Sequence, residues 1–257
     1  SIPLYPNEHF YMITEEYKKL PKNLPTFRDP DTYLYMREYK KRLMVGIFEP
    51  EAKNAFKKTN KVPKNFSFGE FKVDKSYVNM LHKLAAKRIP DINGLKIEKY
   101  FSGPESFTPD TNYLIGETAE IKNFFVCCGF NSIGIGSGGG AGKAVAEWMI
   151  KGHATEDLFS LDIKRFEKFN SSLKFIKERV TESLGNLFKM HWPYKQLTTS
   201  RNIKLLPYHQ NLKKLGACFG QMAGHERPMW FSKSKKLEYK YSYGKQNWYS
   251  SAKRESL

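Results

Sequence analysis

The spacing of hydrophobic and polar positions changes period along the chain. In the first part, "HFYMIT" (9–14), "TYLYMRE" (32–38) and "RLMVGIF" (42–48) are built from aromatic and branched residues. They predict strands, and the polar Tyr39-Lys40-Lys41 between the second and third predicts a hairpin, so an antiparallel sheet is expected. "LKIEKYFSG" (95–103) and "YLIGE" (113–117) predict two further strands, with "GPESFTPD" (103–110) as a loop between them.

Helical periods interrupt these strands. Asp74 is placed to cap a helix running to about Arg88, with Tyr77, Leu81, Leu84, Ala85 and Arg88 on one stripe and Pro90 as its stop. After the apolar run "FFVCC" (124–128) and a group of glycines, Ala141, Ala144, Val145, Trp148 and Met149 form an apolar helical stripe, which Gly152 closes as a cap. A third helix is expected in "SSLKFIKERVTESLGNLFKM" (171–190), where Leu173, Ile176, Val180, Leu184, Leu187 and Phe188 share a face. From His191 onward the chain is rich in Pro, Gly, Tyr and Trp, and predicts an irregular, extended connection. The fold class is therefore α+β.

Bulk properties narrow the function. The 257 residues suffice for a substantial core, and the chain, which starts at Ser1 and ends on the polar "SSAKRESL", reads as an internal segment of a longer protein. A formal charge of +17 invites nucleic acid as a partner, but the lysines are dispersed and no RNA-binding signature or zinc-finger spacing accompanies them, so no nucleic-acid partner is expected. No stretch reaches the roughly 20 apolar residues of a membrane-spanning helix, and no membrane partner is expected. Cys127 and Cys128, adjacent on a strand, read as small buried hydrophobes rather than a redox pair, and neither they nor Cys218 has metal-ligand spacing. "HERPM" (225–229) begins like a zinc-protease helix but has Met229 where the second histidine belongs.

The glycines carry the candidate chemistry. Gly134, Gly136 and Gly139 satisfy G-x-G-x-x-G after a predicted strand and before a predicted helix. The phosphate-loop reading fails, because Gly142-Lys143 is followed by Ala144 and preceded five positions earlier by Ser137. A dinucleotide fold would need a second buried strand ending near Asp162, and "ATEDLFSLDIKRF" (154–166) is not one. What remains is a helix N-terminus where the glycines 138–140 offer amides and close approach to an anionic ligand edge, or else a turn that only permits tight packing. His9, alone beside an apolar strand, is by its residues more readily structural than functional.

Taken in order, "PLYPNEHFY", "GPESFTPD", "LIGE", "NFFVCCGFNSIGIGSGGGAGKAVAEWMIKG", "DIKRF" and "GACFGQMAGHERPMWF" resemble the FAD-dependent dimethylglycine and sarcosine dehydrogenase family. In that family a glycine-oxidase-like flavin part is followed by an aminomethyltransferase-like, tetrahydrofolate-binding part. The resemblance implies that residues 1–105 belong to a substrate-binding antiparallel sheet, 106–155 to the C-terminal strand–loop–helix of a glutathione-reductase-like FAD domain, and 156–257 to an irregular linker region leading toward a folate domain. It implies FAD as cofactor, with tetrahydrofolate served by the absent part. The expected contacts to FAD are Gly129, Phe130, Asn131, Ser132, Gly134, Ile135, Gly138 and Gly139. It implies His9 as the catalytic residue and Tyr11 and Tyr35 as substrate-binding residues. Simpler sarcosine oxidases hold the substrate carboxylate with a lysine near the place of Gly136, so a different cation is required here, with Arg37 as a candidate. The implied activity is oxidative demethylation of an N-methyl amino acid, with a separate electron acceptor, in the cytoplasm of a bacterium or the mitochondrial matrix of a eukaryote. The alternatives are a non-catalytic regulatory subunit on the same framework, such as that of pyruvate dehydrogenase phosphatase, and a basic nucleic-acid-binding module.

Overall fold

The computed structural model describes residues 1–187, 189, 195–233, 240 and 242–257, in two units, Ser1–Lys189 and Met190–Leu257. In the first unit β1 (Tyr5–Glu16), β2 (Phe27–Asp29), β3 (Leu34–Tyr39) and β4 (Arg42–Ile47) precede helix α1 (Lys75–Arg88) and strand β5 (Ile97–Phe107). These strands form one antiparallel sheet in the order β2-β3-β4-β1-β5. The β3–β4 hairpin turns through Lys40 and Lys41, both at positive φ (50° and 60°), the backbone that a tight two-residue hairpin demands.

One face of this sheet is the main core. Phe10, Met12, Leu34, Met36, Leu43, Val45 and Ile47 bury against Leu81 and Ala85 of α1. Asp74 caps α1 by accepting from the Ser76 amide, and Arg88 in its last turn pairs with the buried Asp29 of β2 at 2.6 Å. Of the predicted stripe, Leu81 and Ala85 are buried, while Arg88 lies at the rim and serves through its charge.

β5 corrects the sequence reading. It continues through Gly103, Pro104, Glu105, Ser106 and Phe107, all in unbroken register with β1, so only the segment after Phe107 is a loop. Pro104 is tolerated because β5 is an edge strand, where a missing amide donor interrupts no second ladder.

The chain then forms β6 (Leu114–Glu117) and β7 (Phe125–Cys128), an antiparallel pair, and helix α2 (Gly134–Lys151). Ala141, Val145 and Trp148 bury against this pair, and Gly116 at φ 99° leaves the space in which the Trp148 indole sits. Met149, expected on the buried stripe, is instead half exposed, and Cys127 is exposed rather than buried, because β7 is an edge of a two-stranded sheet that covers little area. Gly152 closes α2 at φ 78°, donating to the Trp148 carbonyl. Helix α3 (Leu173–Asn186) packs Ile176, Val180 and Leu184 onto Tyr5, Phe48 and Phe107, across one end of the sheet's second face. Leu173 is exposed, contrary to the predicted stripe, and Phe188 lies outside the described residues.

The second unit is not the irregular connection that the composition predicts. Strand β8 (Lys204–Leu205), helix α4 (His209–Lys214), strands β9 (Ala217–Met222) and β10 (His225–Phe231) and helix α5 (Tyr249–Glu255) follow, and the strands form a sheet in the order β8-β10-β9. Ala223 and Gly224, both at positive φ, close the β9–β10 hairpin. Glu226 is fully buried and held by Arg201 and the Asn202 amide. Among the described residues no helix is long and apolar enough to cross a membrane, and no cluster of metal-ligating side chains occurs.

Candidate functional site

The face of the five-stranded sheet opposite α1 gathers the residues expected to touch substrate. Cross-strand pairing places Arg28 opposite Tyr35, Tyr35 opposite Gly46, Gly46 opposite Tyr11, and Tyr11 opposite Phe101. One row thus crosses all strands, running from a guanidinium through two phenols to a phenyl ring. His9 lies two residues from Tyr11, hence on the same face.

Gly46 decides what this row can do. A Cβ there would collide with the Tyr35 ring and hydroxyl, so the bare glycine is what lets Tyr35 lie flat across the sheet. Tyr35 Oη thereby comes within 2.8 Å of His9 Nε2. The His9 ring also stacks on Phe48, with centroids 4.7 Å apart, and on Tyr35 at 5.8 Å. Tyr11 turns the other way and stacks on Phe101 at 4.9 Å. The structure therefore joins His9 to Tyr35 directly and sets Tyr11 beside them in the row.

Burial sets the protonation states. It pushes the His9 imidazole down to about 4, so the ring is neutral at physiological pH. It raises the Tyr35 phenol, helped by the negative charges of Glu49 and Glu105, so the hydroxyl keeps its proton. His9 Nδ1 is buried with no hydrogen-bond partner among the described residues. On the α1 side of the same strands, Glu49 is buried at 2% exposure and pushed up to about 8 by loss of solvent, with Oε2 unpaired among the described residues.

The second expected element is the loop between β7 and α2. Gly129 stands at φ 65°, and a side chain there would strike Leu4 and Thr108. Asn131 is buried, accepts from the Thr108 amide at 2.9 Å and donates to the Gly129 carbonyl, so these two residues build the loop. Phe130 stacks on Tyr113 at 4.8 Å. Ser132, at φ 67°, donates its hydroxyl to Glu105 Oε2 of β5 at 2.6 Å, tying the loop to the sheet.

Helix α2 begins earlier than the apolar stripe indicates, at Gly134. The amides without an intrahelical acceptor are accordingly those of Gly134, Ile135 and Gly136, whereas Gly138 and Gly139 lie inside the helix with their amides turned inward. That corrects the expectation that the glycines at 138–140 supply donors. Added Cβ atoms at Gly136, Gly138, Gly139 and Gly140 would meet nothing within 4 Å, so these glycines serve no packing need in the structure. They leave a bare helical face with positive dipole end, which fits the close approach of a planar, electron-rich ring system.

Residues 1–148 match the family model described as FAD dependent oxidoreductase. The chain belongs to the FAD-dependent oxidoreductase family. Residues 151–205 of this family member also match the model described as FAD dependent oxidoreductase central domain. It is 38% identical over 250 residues to the 4-methylaminobutanoate oxidase (formaldehyde-forming) of Paenarthrobacter nicotinovorans, an alignment that covers 97% of this chain and 30% of that protein. It is 35% identical over 252 residues to mitochondrial sarcosine dehydrogenase of Mus musculus, covering 96% of this chain and 27% of that one. The chain thus spans less than a third of these relatives' lengths. Among solved structures, the L-proline dehydrogenase of P. horikoshii superposes with a TM-score of 0.53 at 22% identity, over 66% of this chain and 42% of that one, a likeness of fold.

Sequence reasoning named His9, Tyr11 and Tyr35 but missed Gly46, Phe48, Arg28 and Glu105. Glu105 was hidden by reading its segment as a loop. Gly46, a glycine inside a largely apolar strand, was a legible sign of close approach by a neighbouring group. Arg37, the earlier candidate cation, is exposed and lies by the Tyr39 ring.

Proposed function

We propose that this chain forms the substrate-facing sheet and the flavin-contacting loop of an enzyme that oxidatively demethylates an N-methyl amino acid. FAD, when bound, supplies the acceptor for two electrons and a hydrogen from the carbon beside nitrogen. The observation that carries the reading is the His9–Tyr35 pair lying over Gly46, on the sheet face that α1 leaves uncovered. Relatives named for methylaminobutanoate and sarcosine support the N-methyl substrate class.

In this reading Tyr35 touches the substrate and His9 positions it. Nε2 is committed to the phenol and Nδ1 is buried, so His9 acts through the hydroxyl that it orients. An imidazole held near 4 does not retain a proton taken from an amine, which favours positioning over general-base chemistry. Arg28, the cross-strand partner of Tyr35, is the cation that the row offers to a substrate carboxylate. The first-turn amides of Gly134, Ile135 and Gly136, with the open space at Gly138 and Gly139, would hold the flavin and stabilise negative charge developing on it. Passage of the one-carbon unit to tetrahydrofolate and re-oxidation by a separate acceptor rest on the family resemblance.

The test uses the full-length protein. Anaerobic addition of sarcosine, dimethylglycine or 4-methylaminobutanoate is expected to bleach its flavin band; a flavin that stays oxidised with all of them overturns the reading.

A further inference from the structure

Glu105 joins the two candidate elements. Pairing of β5 with β1 sets Gly103 opposite His9 and Glu105 opposite Asn7, with no register shift between them. Glu105 therefore shares the face of His9 and lies one diagonal step from it, close enough for its charge to act on a group bound there. Between them stands Gly103, which offers no side chain. The carboxylate is fixed by the Ser132 hydroxyl, immediately before the head of α2.

Its electrostatic situation is unusual for this chain. With a formal charge of +17, lysine and arginine are abundant, yet among the described residues no cation pairs with Glu105. It is half-buried, and loss of solvent raises its pKa against the Ser132 hydrogen bond, which favours the charged form. A partly desolvated carboxylate that lacks a cation, on the face of a site, is arranged for a cation that arrives.

We propose that Glu105 is the counter-charge for the substrate's amine nitrogen. This rests on the reading of the sheet face as an amine site. The nitrogen is positive when a protonated amine enters, and positive again when loss of hydride from the adjacent carbon leaves an iminium. A fixed negative charge stabilises both states, and it stabilises the second where the barrier lies.

Binding of two ligands that cannot be oxidised tests this on the full-length flavoprotein, by calorimetry and by perturbation of the flavin absorbance. Trimethylglycine carries a permanent cation; 3,3-dimethylbutanoate keeps its carboxylate but has a neutral carbon in place of the cationic nitrogen. The native protein is expected to prefer the cation by about tenfold, the scale of one charge-assisted contact. Glu105→Gln, which still accepts from Ser132, is expected to reduce that preference to about twofold or less. Equal binding of the two ligands by the native protein, or a preference that survives E105Q, overturns the proposal. If E105Q fails to retain flavin, Ser132→Ala frees the carboxylate without removing its charge: a preference weakened by about two- to fivefold supports the proposal, and an unchanged one overturns it. A cation preference lost in E105Q, in a protein whose flavin no N-methyl amine reduces, supports Glu105 and overturns only the demethylation reading. Flavin reduction by those amines without any cation preference does the reverse.

Discussion

The ring of Tyr35 occupies the volume that a side chain on its cross-strand partner Gly46 would fill. From that relationship follow the flat placement of the phenol and its bond to His9. Gly46→Ala is expected to lift the ring, break the 2.8 Å bond to His9 and destabilise the protein by about 1–3 kcal/mol through overpacking. Thermal melts measure the loss. An unchanged melting temperature would mean that Tyr35 moves aside freely and that Gly46 constrains nothing.

His9 gives stability a defined pH dependence. Its folded pKa of about 4 lies below the unfolded value near 6.5, so the unfolded chain binds the extra proton between these values. The associated stability is fully present above about 6.5 and is lost as pH falls from there toward 4, up to about 3 kcal/mol. His9→Gln, compared with the native protein by denaturant titration between pH 4 and 7, is expected to flatten that slope. A parallel pair of curves would place the acid sensitivity elsewhere.

Glu49 acts with the opposite sign. Its folded pKa of about 8 exceeds the ordinary carboxylate value of 4.5, so the folded state binds the proton more tightly, and stability is lost as pH rises from about 4.5 through 8. Glu49→Gln is expected to raise stability at pH 9 by up to about 4 kcal/mol while changing little near pH 4. Melting temperatures across that range are the check, and an equal shift at both ends would point to packing rather than charge.

Much of this architecture was legible in the sequence, and the exceptions have physical causes. The hairpin at Lys40-Lys41, the Asp74 cap, the Gly152 cap and the buried trio Ala141, Val145 and Trp148 follow from local pattern, because each is decided by nearest neighbours. Pro104 concealed the end of β5, since proline argues against a strand until the strand is known to be an edge. Pro228 and the glycines likewise concealed the β9–β10 hairpin. In α2 the glycines begin the helix before any apolar stripe can announce it, so its free amides were placed four residues too late. The pairing of His9 with Tyr35 depends on strand order and on Gly46, neither of which a single strand reveals.

Helix α3 seats against the turn after β4 through a second glycine. A Cβ at Gly185 would collide with the Pro50 carbonyl, a backbone group that has no rotamer by which to yield. Gly185→Ala is expected to cost about 2–3 kcal/mol despite its favourable helix propensity. A neutral or stabilising result in a chemical denaturation series would show that α3 can slide on the sheet.

The proposed function requires that the Tyr35 hydroxyl, oriented by His9, acts on the substrate at this sheet face. Its most direct test is the rate of anaerobic flavin bleaching by an N-methyl amine in the full-length protein and in its Tyr35→Phe variant. Normal flavin content is expected, with a rate lower by about 10²–10³-fold, the scale of a lost catalytic hydrogen-bonding group. A variant that bleaches at the native rate would contradict it, and would return the His9–Tyr35 bond to the role of holding the sheet together.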